Sequence, residues 1–370
     1  MSEVISHKCP NCDGPLLFDP KTQKFHCEYC LSIFTEPEVQ AYEEKLAQLN
    51  PTDTQENDAE PEIKTEAKQP AEDDSPMDLF SCPSCGAEIV TDTTTAATYC
   101  YYCHNPVVLS GRVSGKFLPQ SVLPFAIEKE EAVTQFLNWA QKKKFIPKDF
   151  FNKNQVEKLT GIYFPYWVVD ASLHGSLQAN ANSVSVWRVG DIEYTQTKKY
   201  NIFRQGKMSF KELVKNALQK NAKVNMVESV QPFPLEKAVP FKTQYLSGFQ
   251  AEKRDLEFET LQQDIHGELK QYGHQLLQDT VSGYTTVYNH KVNLDVDGEN
   301  HQYVLLPVWL LTYRNDSGTD DSKKLYYFAM NGQNGKVSGK LPIDKTKLSL
   351  FALGVGIGVF LLVLLGGYLI

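Results

Sequence analysis

Charge is missing from one end of this sequence: residues 348–370 hold no Asp, Glu, Lys or Arg. Large apolar side chains are almost missing from residues 51–78, and lysine and arginine are missing from residues 80–110. Neither H-E-x-x-H nor G-x-S-x-G occurs, and Gly332-Gln-Asn-Gly335-Lys336 lacks the spacing of a phosphate loop. His266 and His274 have no carboxylate at ligand spacing and read as surface groups, while Asp170 is one acid without a visible partner. No set of nucleophile, base and acid emerges, so the chain reads as non-enzymatic with no catalytic residues. The lack of an apolar run between Met1 and Cys9 argues against a signal peptide.

Cysteine is scarce, 8 among 370 residues, but every one belongs to a pattern. Fourteen residues separate Cys9-Pro-Asn-Cys12 from Cys27-Glu-Tyr-Cys30, and fourteen separate Cys82-Pro-Ser-Cys85 from Cys100-Tyr-Tyr-Cys103. A C-x2-C pair sets two thiolates on one tight turn, and two such turns close a tetrahedron around Zn²⁺. The spacing predicts two structural zinc sites, in preference to disulfides or free thiols. Four thiolates leave no position for a catalytic water. Asp13-Gly14 and Gly86 follow the second cysteine of each first pair, where a turn needs a positive φ. Phe25 and Tyr99 precede the third cysteines and are expected to pack on the hairpins, whereas His7, His26 and His104 adjoin ligands without being needed.

Along the chain, the expected order is zinc ribbon 1 at 1–35, a short helix and acidic disordered linker at 36–79, and zinc ribbon 2 at 80–110. An α+β domain with a mostly antiparallel sheet follows at 111–345, and a transmembrane helix closes the sequence at 348–370. Residues 51–78 hold ten acidic side chains and two lysines, which matches the net charge of −8 for the whole chain. Such a segment cannot bury enough apolar surface to order itself and reads as a flexible tether. Within the central domain, helices are expected at 128–144, 155–160, 209–220 and 253–277. Strands are expected near 183–203, from 281 to 296, and as a hairpin pairing 325–330 with 336–341 across Asn331–Gly335. Pro165-Tyr-Trp167 and Pro307-Val-Trp309 recur in aromatic strands and read as buried core indoles, with Pro165 marking an edge or a strand start.

The 23 residues of 348–370 span roughly 34 Å as a helix, enough for a hydrocarbon core of about 30 Å. Lys323, Lys324, Lys336, Lys340, Lys345 and Lys347 crowd its N-terminal side, so residues 1–347 are expected in the cytoplasm. Reduced thiolate sites agree with that side. Gly354 and Gly358 allow close helix–helix contact. Nucleic acid is the habitual partner of a zinc ribbon, but residues 1–35 carry three lysines against four acids. Charges in that balance suit protein partners better than a phosphate backbone.

Gly161-Ile-Tyr-Phe-Pro-Tyr-Trp167, Leu306-Pro-Val-Trp-Leu-Leu-Thr-Tyr313 and Asn331-Gly-Gln-Asn-Gly-Lys-Val-Ser-Gly-Lys-Leu-Pro342 carry a resemblance. The chain resembles bacterial zinc-ribbon proteins with a C-terminal membrane segment, whose ribbons are similar to the transcription-factor-IIB type. Members resemble the envelope-stress protein encoded beside phage-shock protein A and a stomatin/prohibitin-type (SPFH) partner. The resemblance implies a single-pass membrane adaptor that recruits such proteins to the inner membrane face, and it supplies no catalytic residues. Two alternatives stand beside it: a membrane-tethered nucleic-acid or replication accessory, and a ligand sensor or enzyme in the central domain.

Overall fold

A computed structural model of the chain describes residues 4–49, 77–82, 88–100, 105–143, 145–146, 159–219, 227–314, 325–341 and 343–368. The acidic linker as far as residue 76, Cys85, Gly86, Cys103, His104, Lys144, Pro147, Lys323 and Lys324 lie outside the described residues. So does the helix expected at 155–160, except that Thr160 opens a strand.

The architecture is α+β. In chain order the first elements are β1 (Val4–Ile5), β2 (Leu16–Asp19), β3 (Lys24–Cys27), β4 (Ile33–Thr35) and α1 (Glu36–Leu49). Then come β5 (Met77–Ser81), β6 (Glu88–Asp92), β7 (Thr95–Tyr99), β8 (Pro106–Leu109), β9 (Ser121–Val122) and α2 (Lys129–Gln141). The long hairpin β10 (Thr160–Val189) and β11 (Ile192–Asn216) is followed by β12 (Val239–Pro240), β13 (Gln250–Glu252) and α3 (Phe258–Asp279). Last are β14 (Thr286–Arg314), β15 (Leu325–Asn331), β16 (Val337–Lys340) and α4 (Lys345–Tyr368). Among the described residues the large sheet is mixed: its order is β1-β8-β7-β13-β10-β14-β15-β16, with β10 and β13 parallel and the other recorded registers antiparallel.

Two compact units result. Unit 1 comprises Met1–Phe164, Lys220–Lys253 and Leu305–Ile370, and unit 2 comprises Pro165–Gln219 and Arg254–Val304. The core of unit 1 is aromatic. Phe125 stacks on Phe249 at 4.4 Å between ring centres and meets Tyr163 and Trp309 at 5.1 and 5.0 Å. Two glycines admit these rings: a Cβ on Gly332 would lie 2.6 Å from Phe125, and one on Gly161 would lie 2.7 Å from Phe249. The Trp309 indole N–H donates to Ile127 O at 3.0 Å, so its one polar atom is satisfied in the core. α2 adds Ala132, Phe136 and Ala140 on one buried stripe, with Phe136 edge-on to Phe328.

Asn331 ties the β15–β16 turn to the same unit. It is fully buried, its side-chain N–H₂ donates to Val230 O and Pro232 O at 3.1 Å, and its Oδ1 accepts from Gln333 N at 2.9 Å. Gly335, at φ +72°, completes that turn.

In unit 2, β10 and β11 pair from Tyr166↔Asn216 to Val189↔Ile192, across a two-residue loop with Gly190 at φ +60°. Residues 209–216 are therefore strand, not the helix expected at 209–220. Their Ser-Phe-Lys-Glu-Leu-Val-Lys-Asn pattern suits either period, and pairing with β10 decides it. The register slips between Val169 and Ala171, where Glu212 takes φ +58° and its N–H donates to Asp170 Oδ1 at 2.8 Å. Asp170 is exposed and holds this bulge. Pro165 marks neither a strand start nor an edge strand: it is the sixth residue of β10, which neighbours β13 and β14 in the sheet, and it lies between Tyr163, the last residue paired with β13, and Tyr166, the first paired with β11. Trp167 donates to Leu256 O at 3.0 Å and lies under the Arg254 guanidinium, 5.0 Å from its ring centre. α3 buries Phe258, Ile265, Leu269 and Leu277. His266 is not a free surface group: its Nε2 pairs with Glu299 Oε2 at 2.8 Å, and His274 is half-buried.

α4 opens at Asp344, whose Oδ1 accepts from the Thr346 and Lys347 N–H groups at 3.1 Å. From Lys345 to Val363 the helix is long and apolar enough to cross a membrane, and none of that stretch is buried.

Candidate metal centre

The first cysteine segment is built from two turns of the same design. Cys9 N–H donates to Gly14 O at 2.8 Å and Asp13 N–H to Cys9 O at 2.9 Å. Eighteen residues later, Cys27 N–H donates to Ser32 O at 3.0 Å and Leu31 N–H to Cys27 O at 2.9 Å. The residue after each second cysteine closes the turn in the left-handed region, Asp13 at φ 56° and Leu31 at φ 60°. The β2–β3 hairpin carries the first turn to the second, with Leu16 opposite Cys27 and Phe18 opposite Phe25. Leu16, Phe18 and Phe25 are buried beneath it.

These turns bring four sulfurs together. Cys9 Sγ lies 3.5 Å from Cys30 Sγ, Cys12 Sγ lies 3.5 Å from Cys27 Sγ, and all four fall within 4.8 Å of one another. The separations are far from a disulfide bond of about 2.05 Å. A tetrahedron with Zn–S bonds of 2.3 Å has edges of about 3.8 Å, so the cage fits such an ion. Crowding marks the thiols themselves. The Ser32 hydroxyl and N–H lower the Cys30 pKa to about 6, and burial raises that of Cys9. At Cys12 the Gly14 N–H acts to lower the pKa, but the neighbouring Cys27 and Cys30 sulfurs outweigh it and push it to about 12. A cation among the sulfurs reverses that repulsion, since thiolates are the ligating form. Cys9 and Cys27 are buried and Cys12 and Cys30 exposed, so the cluster can hold a metal ion at the surface of unit 1.

Of the second quartet, Cys82 and Cys100 are described and both are buried, in a cluster with Ile89, Val107 and Leu109. Cys100 N–H donates to Asn105 O at 2.9 Å, the same five-residue span as Cys9 to Gly14 and Cys27 to Ser32. Cys85 and Cys103 lie outside the described residues, and among the described residues only Cys9, Cys12, Cys27 and Cys30 form a cluster. Arg112 is buried. It pairs with Asp78 and donates to Thr91 Oγ1 at 3.2 Å and Thr95 O at 2.7 Å, fastening β5, β6 and β7.

Neither histidine described beside a ligand joins the cage. His7 Nδ1 contacts Glu43 Oε1 of α1 at 2.8 Å, and Tyr42 OH of the same helix donates to Asp13 Oδ1 at 3.2 Å. Thr35, the residue before α1, caps it: its N–H and hydroxyl both donate to Glu38 Oε2, at 2.7 and 2.8 Å. Nor does the segment hang from the linker alone. Ser247 Oγ donates to Leu16 O at 2.9 Å, Phe18 meets the Tyr245 ring edge-on at 5.3 Å, and β1 joins the main sheet through β8. The sequence did not reveal what the second turn displays: Tyr29, Leu31 and Ile33 are 70, 80 and 65% exposed. The one available signal is a leucine where the first turn has Asp-Gly.

These features define an α+β protein with a four-cysteine cluster on one unit and an apolar helix long enough to span a membrane. The chain is 31% identical to the Bacillus subtilis (strain 168) protein described as "Uncharacterized protein YdjG", over 358 residues covering 97% of this chain and 96% of that one. It belongs to the family of that protein. No family model and no solved structure matches the chain.

Proposed function

We propose that this chain is a non-enzymatic, single-pass membrane adaptor. In this reading both cysteine quartets hold structural zinc and the first ribbon displays a docking tip for a protein partner. α4 anchors the whole on the cytoplasmic face of the membrane. The observation that carries it is Leu31. A branched side chain in the left-handed region costs about 1–2 kcal/mol, and leaving it 80% exposed recovers nothing by burial. A turn selected only for holding metal would place Gly, Asn or Asp there, as the first turn does with Asp13. Flanked by Tyr29 and Ile33, Leu31 forms an apolar tip on a rigid cage, the form of an interface anchor. Partners of the phage-shock protein A and SPFH types follow from the sequence resemblance.

Recruitment of a fluorescent phage-shock protein A-type partner to membranes, by full-length protein and by Leu31→Gly, tests this. The variant is expected to keep two zinc ions per chain and its thermal stability while losing recruitment tenfold or more. Full recruitment by the variant, or no zinc in either form, overturns the reading.

A further inference from the structure

The end of α2, the residues that follow it, Gly339 of β16 and the residues between β16 and α4 line a groove in unit 1 of about 520 Å³, within the range of small-molecule sites. Its walls are Trp139, Phe145, Ile146, Leu341 and Ile343, and Lys142 and Lys143 stand at its rim with no acid among the described lining residues. The Lys143 ammonium lies 5.4 Å from the centre of the Trp139 ring. Ile343 is 61% exposed, an apolar wall left facing solvent.

The groove's position gives that exposure a meaning. Asp344 N–H donates to Phe145 O and Lys347 Nζ to Ile146 O, both at 2.7 Å, so residues 145–146 are bound to the first turn of α4. The Phe145 ring meets Phe351 edge-on at 5.3 Å. At 1.5 Å per residue, Phe351 lies about 9 Å along the helix from Lys345, inside the apolar stretch. If α4 crosses a membrane, Phe145 reaches the layer where headgroups meet acyl chains, and Trp139 and the lysines form the belt found at that depth.

We infer that this groove holds one anionic glycerophospholipid, an acyl chain lying along Trp139, Leu341 and Ile343 and its phosphate between Lys142 and Lys143. Cationic rim and apolar floor together match a lipid, whose phosphate and acyl chain would use both. The inference rests on α4 spanning the membrane.

The test uses full-length protein in detergent micelles doped with phosphatidylglycerol or phosphatidylcholine, with retained lipid counted by native mass spectrometry. One phosphatidylglycerol retained per chain is expected, in preference to phosphatidylcholine. Lys142→Ala with Lys143→Ala should reduce that preference about tenfold or more. Ile343→Asn, which changes no charge and sits on an exposed wall, should lower retention of both lipids. Equal retention of the two lipids, or loss with the lysine variants but none with Ile343→Asn, overturns the groove, the latter outcome marking general surface attraction. Alkaline extraction of native membranes separates the two levels: release of the protein removes the spanning helix and the lipid site with it, whereas retention leaves only the groove at stake.

Discussion

The two turns of the Cys9–Cys30 cage meet one backbone requirement with different residues. In the first, Asp13 takes the left-handed conformation, is tied to Tyr42 of α1, and is followed by Gly14. In the second, Leu31 takes the same conformation and is followed by Ser32, whose hydroxyl lies 3.3 Å from the Cys30 sulfur. Asp is among the few side chains that visit this region readily and Leu is not. The first turn is therefore adapted to fold and the second carries a penalty, with its apolar side chain outside. Identical hydrogen bonds can thus conceal unequal purposes.

The cage as a whole is where this comparison breaks most severely. Cys27→Ser, or removal of metal by a chelator, should unfold residues 7–35, because ligation and local folding are one event worth on the order of 10 kcal/mol in small zinc domains. Rapid proteolysis near Phe25 with α3 and the β10–β11 hairpin still protected from hydrogen exchange would show it; unchanged protection of β2 and β3 would contradict it. A smaller effect comes from making the first turn like the second. Gly14→Ser places a Cβ 3.1 Å from the Tyr29 ring and 3.3 Å from Cys12 Sγ, and should cost about 1 kcal/mol by thermal unfolding. The smallest effect distinguishes the left-handed residues themselves. Leu31→Gly should be neutral or stabilising by up to about 1 kcal/mol, while Asp13→Gly should be slightly destabilising as the Tyr42 contact is lost. Equal responses would mean that the Leu31 conformation carries no penalty.

Much of this was legible in advance, for identifiable reasons. The cluster of Cys9, Cys12, Cys27 and Cys30 was readable because ligand spacing is a local property, and a long apolar helix over most of 348–370 because an uncharged run is local as well. The Pro-x-Trp pairs announced buried indoles, and both donate to a backbone carbonyl at 3.0 Å. Legibility ended where distant segments decide. The stretch 209–216 fits a helix until β10 is present to pair with it, and Asp170 looks unpartnered until the bulge at Glu212 arrives 42 residues later. His266 gains Glu299 from another element. Gly332 and Gly161 carry no local turn signal for their role, which is to leave room for Phe125 and Phe249.

Gly332 also has a consequence for how the chain is made. Its carbonyl accepts the Ala126 N–H at 2.9 Å and its own N–H donates to Pro307 O at 2.9 Å, while Leu16 waits for Ser247. Unit 1 cannot close on a ribosome until residue 332 has left the exit tunnel, so Phe125 and the buried stripe of α2 spend most of translation uncovered. Chains of this kind fold late and slowly, because loop-closure entropy must be met before distant contacts return anything. A shortened transcript or a premature stop before β15 should accordingly produce aggregate or chaperone-bound material, with no smaller version of the unit able to fold in its place.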